Sequence, residues 1–309
     1  MYRIRIPIAI AIFAVLGGVF LLDLRLDTDL GSTALLAFLV GAALFEFYTL
    51  LGLSPRTRFR AVAAGLFLFG CLYVQEKGLA DLPAEPVALG LVLVAVLLVF
   101  PRLLWPEAAP FPDRPAPGLP EGALREAAVI SLGLFYVVFL LGYLLRVRLL
   151  EVPGAPEGQQ GGILLVAFVI LSAKGADMGG YLVGRRFGKH KILPRVSPKK
   201  SFEGTAAGLI LSAALAAAMA AWVPPLRDLM DPASAAVFGL VAGALSLAGD
   251  LVESAVKRRA GVKDSGRLIP EYGGMLDLMD SLMFASPAGY YFLQHLVARA
   301  GAGVTGSGG

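Results

Sequence analysis

The chain has 309 residues, of which 57% are hydrophobic and only 16% are charged. A soluble globular chain is usually about 45–50% apolar and about a quarter charged, so this composition excludes an ordinary water-soluble domain and predicts an integral membrane protein. The formal net charge of +4 is explained by basic cytoplasmic loops, and no nucleic-acid partner is expected. The single cysteine, Cys71, excludes an intrachain disulfide.

The apolar runs predict transmembrane helices, each of which needs about 20 residues. The first run has a basic, signal-like start, but no small-residue cleavage site follows it. We therefore predict a retained first span, with a cleaved signal as the alternative. The predicted fold class is all-α and polytopic, with about nine transmembrane helices. These spans are 6–23, 33–52, 60–76, 84–104, 126–146, 162–184, 204–223, 233–255 and 276–298.

Loop charges orient the predicted spans. Basic loops alternate with acidic or neutral ones in the order that nine spans require, and the most basic loops lie near 185–200 and 256–275. By the positive-inside rule, the N-terminus is cytoplasmic and the C-terminus external. We divide the chain into generic N-terminal spans (1–160), a C-terminal transmembrane region that carries the candidate catalytic residues (161–298) and a disordered Gly/Ser-rich tail (299–309).

Ionisable residues inside the predicted spans are few and grouped. Such residues are costly in a membrane, and their first interpretation is functional. The predicted orientation puts all of them at the cytoplasmic ends of their helices, beside the most basic loops. They are Lys174 and Asp177 in the sixth span, Asp250 and Glu253 in the eighth, and Asp277 and Asp280 in the ninth.

The spacing of these acids predicts a cation site. Asp250 and Glu253 are three residues apart and share a helix face, and Asp277 and Asp280 repeat this spacing. Carboxylate oxygens suit Mg²⁺, whose coordination is usually completed by water and substrate phosphates. We predict Mg²⁺ or another hard divalent cation on Asp250, Asp277 and Asp280, and leave a second cation open.

Each acid also has a structural interpretation. Asp277 would be a helix N-cap and Asp280 a first-turn acid that the helix dipole favours. Glu253 would pair with Lys257 at i,i+4. These explanations do not apply to Asp250, because an acid near a helix C-terminus interacts unfavourably with the helix dipole. Asp250 is therefore the strongest single indication of function.

Two basic stretches, GRRFGKHKILPRVSPKKSFEG and KRRAGVKDSGRLIPEYGG, lie beside the acids. Arginine forks, lysine ammonium groups and glycine backbone N–H groups bind phosphate oxygens. Loops that merely contact anionic lipid would explain the positive charge, but a metal with a polyphosphate also explains the acids on the same side. An ion-coupled transporter is the alternative of another class, and it predicts midplane acids and repeated halves that this sequence lacks.

At these residues the sequence resembles the phosphatidate cytidylyltransferase (CDP-diacylglycerol synthase) family, over roughly residues 170–285. It departs from that family at Glu271 and Tyr272, where the family has Gly-His, and at Leu278, where it has Arg. The upstream matches are Asp177, Tyr181, Gly184, Arg185, Gly188, Lys189, Ser197, Pro198, Lys199, Lys200, Glu203 and Gly204. The downstream matches are Ser254, Lys257, Arg258, Lys263, Asp264, Pro270, Gly273, Gly274, Asp277, Asp280 and Ser281.

The resemblance implies an enzyme that converts CTP and phosphatidic acid to CDP-diacylglycerol and pyrophosphate, using Mg²⁺ at the cytoplasmic face of a bacterial-type inner membrane. It also implies contact with membrane lipids and makes a homodimer plausible. A CTP-dependent polyprenol kinase and an isoprenoid-ether cytidylyltransferase remain alternatives. The implied catalytic residues are Asp250, Asp277, Asp280 and Lys257. The implied substrate-binding residues are Asp177, Tyr181, Arg185, Ser197, Lys199, Lys200, Glu203, Ser254, Arg258, Lys263, Asp264 and Arg267.

Overall fold

The computed structural model describes residues 2–79, 121–152, 160–194, 196–266, 268 and 273–306. The helices are α1 (Tyr2–Leu26), α2 (Leu30–Leu50), α3 (Pro55–Glu76), α4 (Glu121–Gly133), α5 (Leu140–Arg148), α6 (Gln160–Phe187), α7 (Phe202–Trp222), α8 (Pro224–Leu229), α9 (Pro232–Arg259) and α10 (Met275–Gly306). A π-helical turn, Leu134–Phe139, joins α4 to α5. The strands β1 (Lys191–Leu193) and β2 (Ser197–Ser201) form an antiparallel ribbon between α6 and α7.

Within the described ranges, six helices are long and apolar enough to cross a membrane: α2, α3, the continuous α4–α5 helix, α6, α7 and α9. The protein is therefore a polytopic membrane protein built from helices, as its composition predicts. The ribbon is the exception to the all-α prediction, and it occupies the basic segment that the sequence showed only as a loop. The first and ninth predicted spans fall on α1 and α10.

Several helices extend beyond their predicted spans, and α3 and α10 do so for identifiable reasons. α3 starts at Pro55 rather than at residue 60, because Ser54 caps it by accepting a hydrogen bond from the Thr57 N–H at 3.3 Å, and proline suits the first helical position. α10 continues to Gly306, beyond the predicted end of the ninth span at 298, while the division of the chain into regions and a tail stays a prediction. The run after 298 is rich in glycine but contains no proline to stop the helix.

Small residues pack the C-terminal helices closely. A Cβ atom on Gly208 of α7 would lie 2.4 Å from the Ala176 carbonyl oxygen of α6, and one on Gly249 of α9 would lie 2.3 Å from the Asp280 carbonyl oxygen of α10. Only glycine leaves room for such close backbones, as is common between transmembrane helices. The charged ends of these four helices are thereby brought side by side.

A buried polar network fastens the N-terminal helices at the opposite end of the bundle. Asp23 of α1 lies 3.6 Å from Arg148 of α5, and both side chains are buried. Asp23 also accepts hydrogen bonds at 2.8 Å from the N–H groups of Gly31 and Ser32, and Arg148 Nε donates to Ser32 Oγ at 3.0 Å. A buried ion pair needs such additional hydrogen bonds to offset its desolvation. The network fixes α1 and α5 against the start of α2.

The predicted span at 84–104 lies outside the described residues, and the helices before and after it contact opposite ends of α2. Lys77, after α3, pairs with Asp29 at the start of α2. Arg125 of α4 instead donates to the Leu51 carbonyl oxygen, just past the end of α2, at 3.4 Å. α3 therefore ends and α4 begins at opposite ends of α2. The total of nine spans and the cytoplasmic N-terminus stay predictions.

Candidate active site

The charged ends of α6, β2, α9 and α10 meet. Lys174 Nζ of α6 donates to the Leu278 carbonyl oxygen at 2.9 Å and to Ser281 Oγ at 2.5 Å, both on α10. Lys200 Nζ of β2 lies 2.5 Å from Asp250 Oδ2 of α9. The predicted convergence of the sixth, eighth and ninth spans is therefore confirmed. Leu278 contributes its backbone carbonyl oxygen to this contact. The contact with Lys174 therefore does not depend on the leucine side chain, which stands where the family has arginine.

A cavity of about 800 Å³ opens between α6, the ribbon, α7 and α9. Four cationic side chains line it against two acidic ones, so its walls carry net positive charge that favours a polyanion such as a triphosphate. Glycines in the wall leave backbone groups accessible to a ligand. The cations are Arg185, Lys191, Lys199 and Lys200, the acids are Asp177 and Asp250, and the predicted substrate-binding residue Tyr181 also lines the cavity.

Asp250 also belongs to an acidic triad with Glu253 and Asp280. One carboxylate oxygen from each residue lies within 4.8 Å of the others. Glu253 and Asp280 are buried, whereas Asp250 reaches the cavity. Carboxylate oxygens are the ligands that hard divalent cations prefer, so this donor set fits Mg²⁺. Asp250 thus links the basic cavity to a candidate cation site.

Asp277, the third predicted metal ligand, has different surroundings. Its Oδ2 accepts hydrogen bonds from Ser265 N–H at 3.0 Å, Ser265 Oγ at 2.9 Å and Gly274 N–H at 2.7 Å. Because α10 starts two residues earlier, Asp277 is a first-turn acid rather than the N-cap, and its bond to Gly274 is half of a capping box. The structure places Glu253, and not Asp277, beside Asp250 and Asp280.

Lys257 connects the acidic triad to the start of α10. Its Nζ pairs with Glu253 one turn earlier and lies 2.5 Å from Asp277 Oδ1. The predicted i,i+4 pair with Glu253 is confirmed, although Glu253 is also a triad member. Lys257 therefore neutralises buried acidic charge at the boundary between α9 and α10.

Glu46 of α2 is the site residue that sequence reasoning missed, because the N-terminal spans were interpreted as generic. Its buried carboxylate accepts hydrogen bonds from Ser265 Oγ at 3.1 Å and from the Leu276 N–H at 2.9 Å. Ser265 also contacts Asp277, so Glu46 ties an N-terminal helix to the start of α10. The available signal was an acid within an apolar run, which is costly in a membrane and calls for a partner.

Glu203, predicted to bind substrate, holds the chain between α6 and the ribbon. Its carboxylate accepts from the N–H groups of Lys189 and His190 at 3.2 Å and lies 2.6 Å from His190 Nδ1. Ser254 instead supports the acidic triad, since its Oγ donates to Asp250 Oδ1 at 3.1 Å. Both side chains therefore contact other protein groups and do not line the cavity.

The remaining predicted substrate-binding residues that the structure describes do not line the cavity. Arg258 Nη1 donates to the Val262 carbonyl oxygen at 3.1 Å, while Lys263 and Asp264 are exposed in the segment after α9. Ser197 begins β2. Arg267, Pro270, Glu271 and Tyr272, which include the departure from the Gly-His pair, lie outside the described residues.

The fold and site define a polytopic membrane protein with a cation-lined cavity and an acidic triad at one end of its helical bundle. Residues 4–296 match the profile of the cytidylyltransferase family, and the chain belongs to that family. This membership supports a nucleotidyltransferase, a class of enzyme whose phosphate chemistry the cavity and the triad can serve.

Three relatives illustrate the similarity. A Synechocystis protein named phosphatidate cytidylyltransferase is 34% identical over an aligned length of 247 residues, and the match covers 71% of this chain and 81% of the relative. A Bacillus subtilis protein of the same name is 28% identical over an aligned length of 282 residues, and the match covers 84% of this chain and 96% of the relative. An Escherichia coli protein, the uncharacterized protein YnbB, is 36% identical over 178 residues, or 58% and 57%.

Proposed function

We propose that the protein transfers the cytidylyl group of CTP to phosphatidic acid, giving CDP-diacylglycerol and pyrophosphate. The observation that carries this proposal is the double position of Asp250, which lines the basic cavity and belongs to the acidic triad. A triphosphate in the cavity would meet the triad at this residue. The two relatives named phosphatidate cytidylyltransferase support this substrate pair.

The reaction is a displacement at the α-phosphorus of CTP. An oxygen of the lipid phosphate forms a bond to that phosphorus while the bond from the α-phosphorus to the oxygen bridging to the β-phosphate breaks. The electron pair of the broken bond leaves with pyrophosphate. The nucleophile is already ionised, so the site needs no strong general base and must mainly stabilise charge.

The cavity cations supply part of that stabilisation. Arg185 and Lys199 line the cavity and would bind the triphosphate, since an arginine fork suits two phosphate oxygens at once. Lys200, which lies 2.5 Å from Asp250, sits between the cavity and the triad. These residues would hold the α-phosphorus in line with the lipid phosphate and neutralise the departing pyrophosphate.

The triad of Asp250, Glu253 and Asp280 would hold the divalent cation. Each carboxylate oxygen has two lone pairs, so Asp250 can accept from Ser254 and pair with Lys200 and still offer a ligand. A bound cation of this kind neutralises phosphate charge and orients the reacting groups. Asp277 stays a proposed contributor to the site, and its contacts support a role through Lys257.

We also propose that the site faces the cytoplasm, from which CTP arrives, while the two-tailed lipid enters from the bilayer. The loop charges support this orientation. An apolar approach lies beside the cavity, since Tyr181 lines it and Met178 and Leu182 on the same helix are exposed. The homodimer implied by the family resemblance stays a prediction.

The test is a product assay with purified protein in lipid nanodiscs. Separate reactions contain Mg²⁺, CTP and one acceptor: phosphatidic acid, a polyprenol or an isoprenoid-ether phosphate. Mass spectrometry of the lipids should show CDP-diacylglycerol, with pyrophosphate released, from phosphatidic acid. A product from another acceptor alone would replace phosphatidic acid as the substrate, and no product from any acceptor would contradict cytidylyl transfer.

A further inference from the structure

Tyr136 carries a buried hydroxyl that has no role in the proposed reaction. It lies in the π-helical turn between α4 and α5, and its side chain is 6% exposed. Among the residues that the structure describes, the hydroxyl has no hydrogen-bond partner. A buried polar group without a partner is costly, so its presence needs an explanation.

The contacts of Tyr136 place its ring beside the helix face that carries Asp280. Its ring lies between Phe47 and Phe284, with ring centroids 5.7 Å and 6.2 Å away. Phe284 is four residues after Asp280 on α10, so it lies on the same helix face. Gly249, which precedes Asp250 on α9, packs against the Asp280 carbonyl oxygen and the Phe284 ring, so the Tyr136 ring lies at the contact between the two helices that carry the triad.

The π-helical turn gives this side chain its position. Such turns shift the face on which the following residues lie and are frequent at functional sites. Nearby, the Tyr48 hydroxyl donates to the Ile130 carbonyl oxygen of α4 at 3.0 Å, and Gly133 leaves room for the Tyr48 ring. The turn is therefore fixed by α2, and Tyr136 is held in place by packing.

We propose that Tyr136 belongs to the candidate cation site, where its hydroxyl forms a hydrogen bond with a water molecule held by a divalent cation on the acidic triad. This inference rests on the proposed function and deepens its account of the cation. Mg²⁺ usually keeps several waters, and a phenol hydroxyl can either donate to or accept from such a water. Tyr136 is thus a positioning residue contributed by the N-terminal half.

The experiment measures cation binding by the purified protein without CTP or lipid substrate. Mn²⁺ is titrated and its binding followed by electron paramagnetic resonance, with thermal unfolding measured in parallel. Tyr136→Phe keeps the ring between Phe47 and Phe284 and removes only the hydroxyl. We expect about 10-fold weaker Mn²⁺ binding, as is typical for lost outer-shell contacts, and no loss of thermal stability without the cation.

Tyr48→Phe is the matched control, since it removes a hydroxyl that is bonded to backbone. It should lower the unfolding temperature and leave the Mn²⁺ affinity unchanged. Wild-type affinity in Tyr136→Phe, an equal loss in Tyr48→Phe, or no Mn²⁺ binding by the wild-type protein would each overturn the inference. Because neither substrate is present, these outcomes are separate from a failure of cytidylyl transfer.

Discussion

At the scale of single residues, Asp250 and Asp277 show how similar sequence positions acquire different surroundings. Both are acids near the same end of the bundle, and both were predicted to bind a metal. Asp250 contacts Lys200 and Ser254 at the cavity, whereas Asp277 is enclosed by Lys257 and the backbone before α10. The sequence predicted a cluster of acids at this end of the bundle, but helical spacing alone cannot tell which carboxylate oxygens meet across two helices.

Asp250→Asn should lower the rate of CDP-diacylglycerol formation by at least about 100-fold, because the change removes a charge shared by the cavity and the triad. The measurement is the initial rate of product formation at saturating CTP. Asp228→Asn, in an exposed segment where the side chain is 72% exposed, is the control and should retain wild-type activity. A rate in Asp250→Asn within twofold of wild type would remove this residue from the site.

Asp277→Asn should lower stability as well as activity. The carboxylate pairs with a largely buried lysine and accepts three hydrogen bonds, and breaking such a pair costs about 3–5 kcal/mol. Thermal unfolding in detergent measures this loss. Asp264 is an exposed acid in the segment between α9 and α10, and Asp264→Asn should leave the unfolding temperature unchanged. An unfolding temperature equal to that of wild type in Asp277→Asn would contradict a supporting role.

At the scale of elements, the apolar runs predicted most helices, while the ribbon and the π-helical turn were not anticipated. Three of the eight strand residues are lysines and the strands show no clear apolar alternation, so the sequence resembles a basic loop. The π-helical turn leaves no mark in an apolar run because hydropathy does not depend on the backbone hydrogen-bond pattern. Its position depends instead on Tyr48 and Gly133, which come from different helices.

Gly274→Ala tests the contact between α2 and the start of α10. A Cβ atom there would lie 2.2 Å from Glu46 Oε2 and 2.2 Å from Ser265 Oγ, so the carboxylate would be displaced. We expect a loss of activity together with destabilisation of about 1–3 kcal/mol. The measurements are product formation and thermal unfolding.

Gly70→Ala is the control for that substitution. Nothing lies within 4 Å of a Cβ atom at this exposed position in α3, so the change should be neutral or slightly stabilising. Equal behaviour of the two variants would show that the space beside Glu46 is not needed.

At the scale of the whole molecule, the site draws on both halves of the chain. Glu46 and Ser265 are separated by 219 positions in sequence, yet they share a hydrogen bond. The family resemblance covers roughly residues 170–285 and therefore predicts site residues only in the C-terminal half. Long-range contacts of this kind depend on how helices pack, and a single sequence does not contain that information. Sidedness, by contrast, is predicted from loop charge alone.

The predicted orientation can be tested by cysteine labelling in a Cys71→Ser background. Asp228→Cys and Lys263→Cys place thiols at exposed positions on opposite sides of the membrane. An impermeant maleimide should label Asp228→Cys in intact spheroplasts and Lys263→Cys only after permeabilisation. The reverse pattern would place the candidate active site outside the cytoplasm.

The proposed reaction transfers the α-phosphorus of CTP to the lipid. The most direct measurement supplies the purified protein with phosphatidic acid, Mg²⁺ and CTP carrying ³²P at either the α or the γ position. Label should enter the lipid from α-labelled CTP and appear in pyrophosphate from γ-labelled CTP. Entry of the γ label into a lipid would identify a kinase, and the absence of α label from the lipid would contradict cytidylyl transfer.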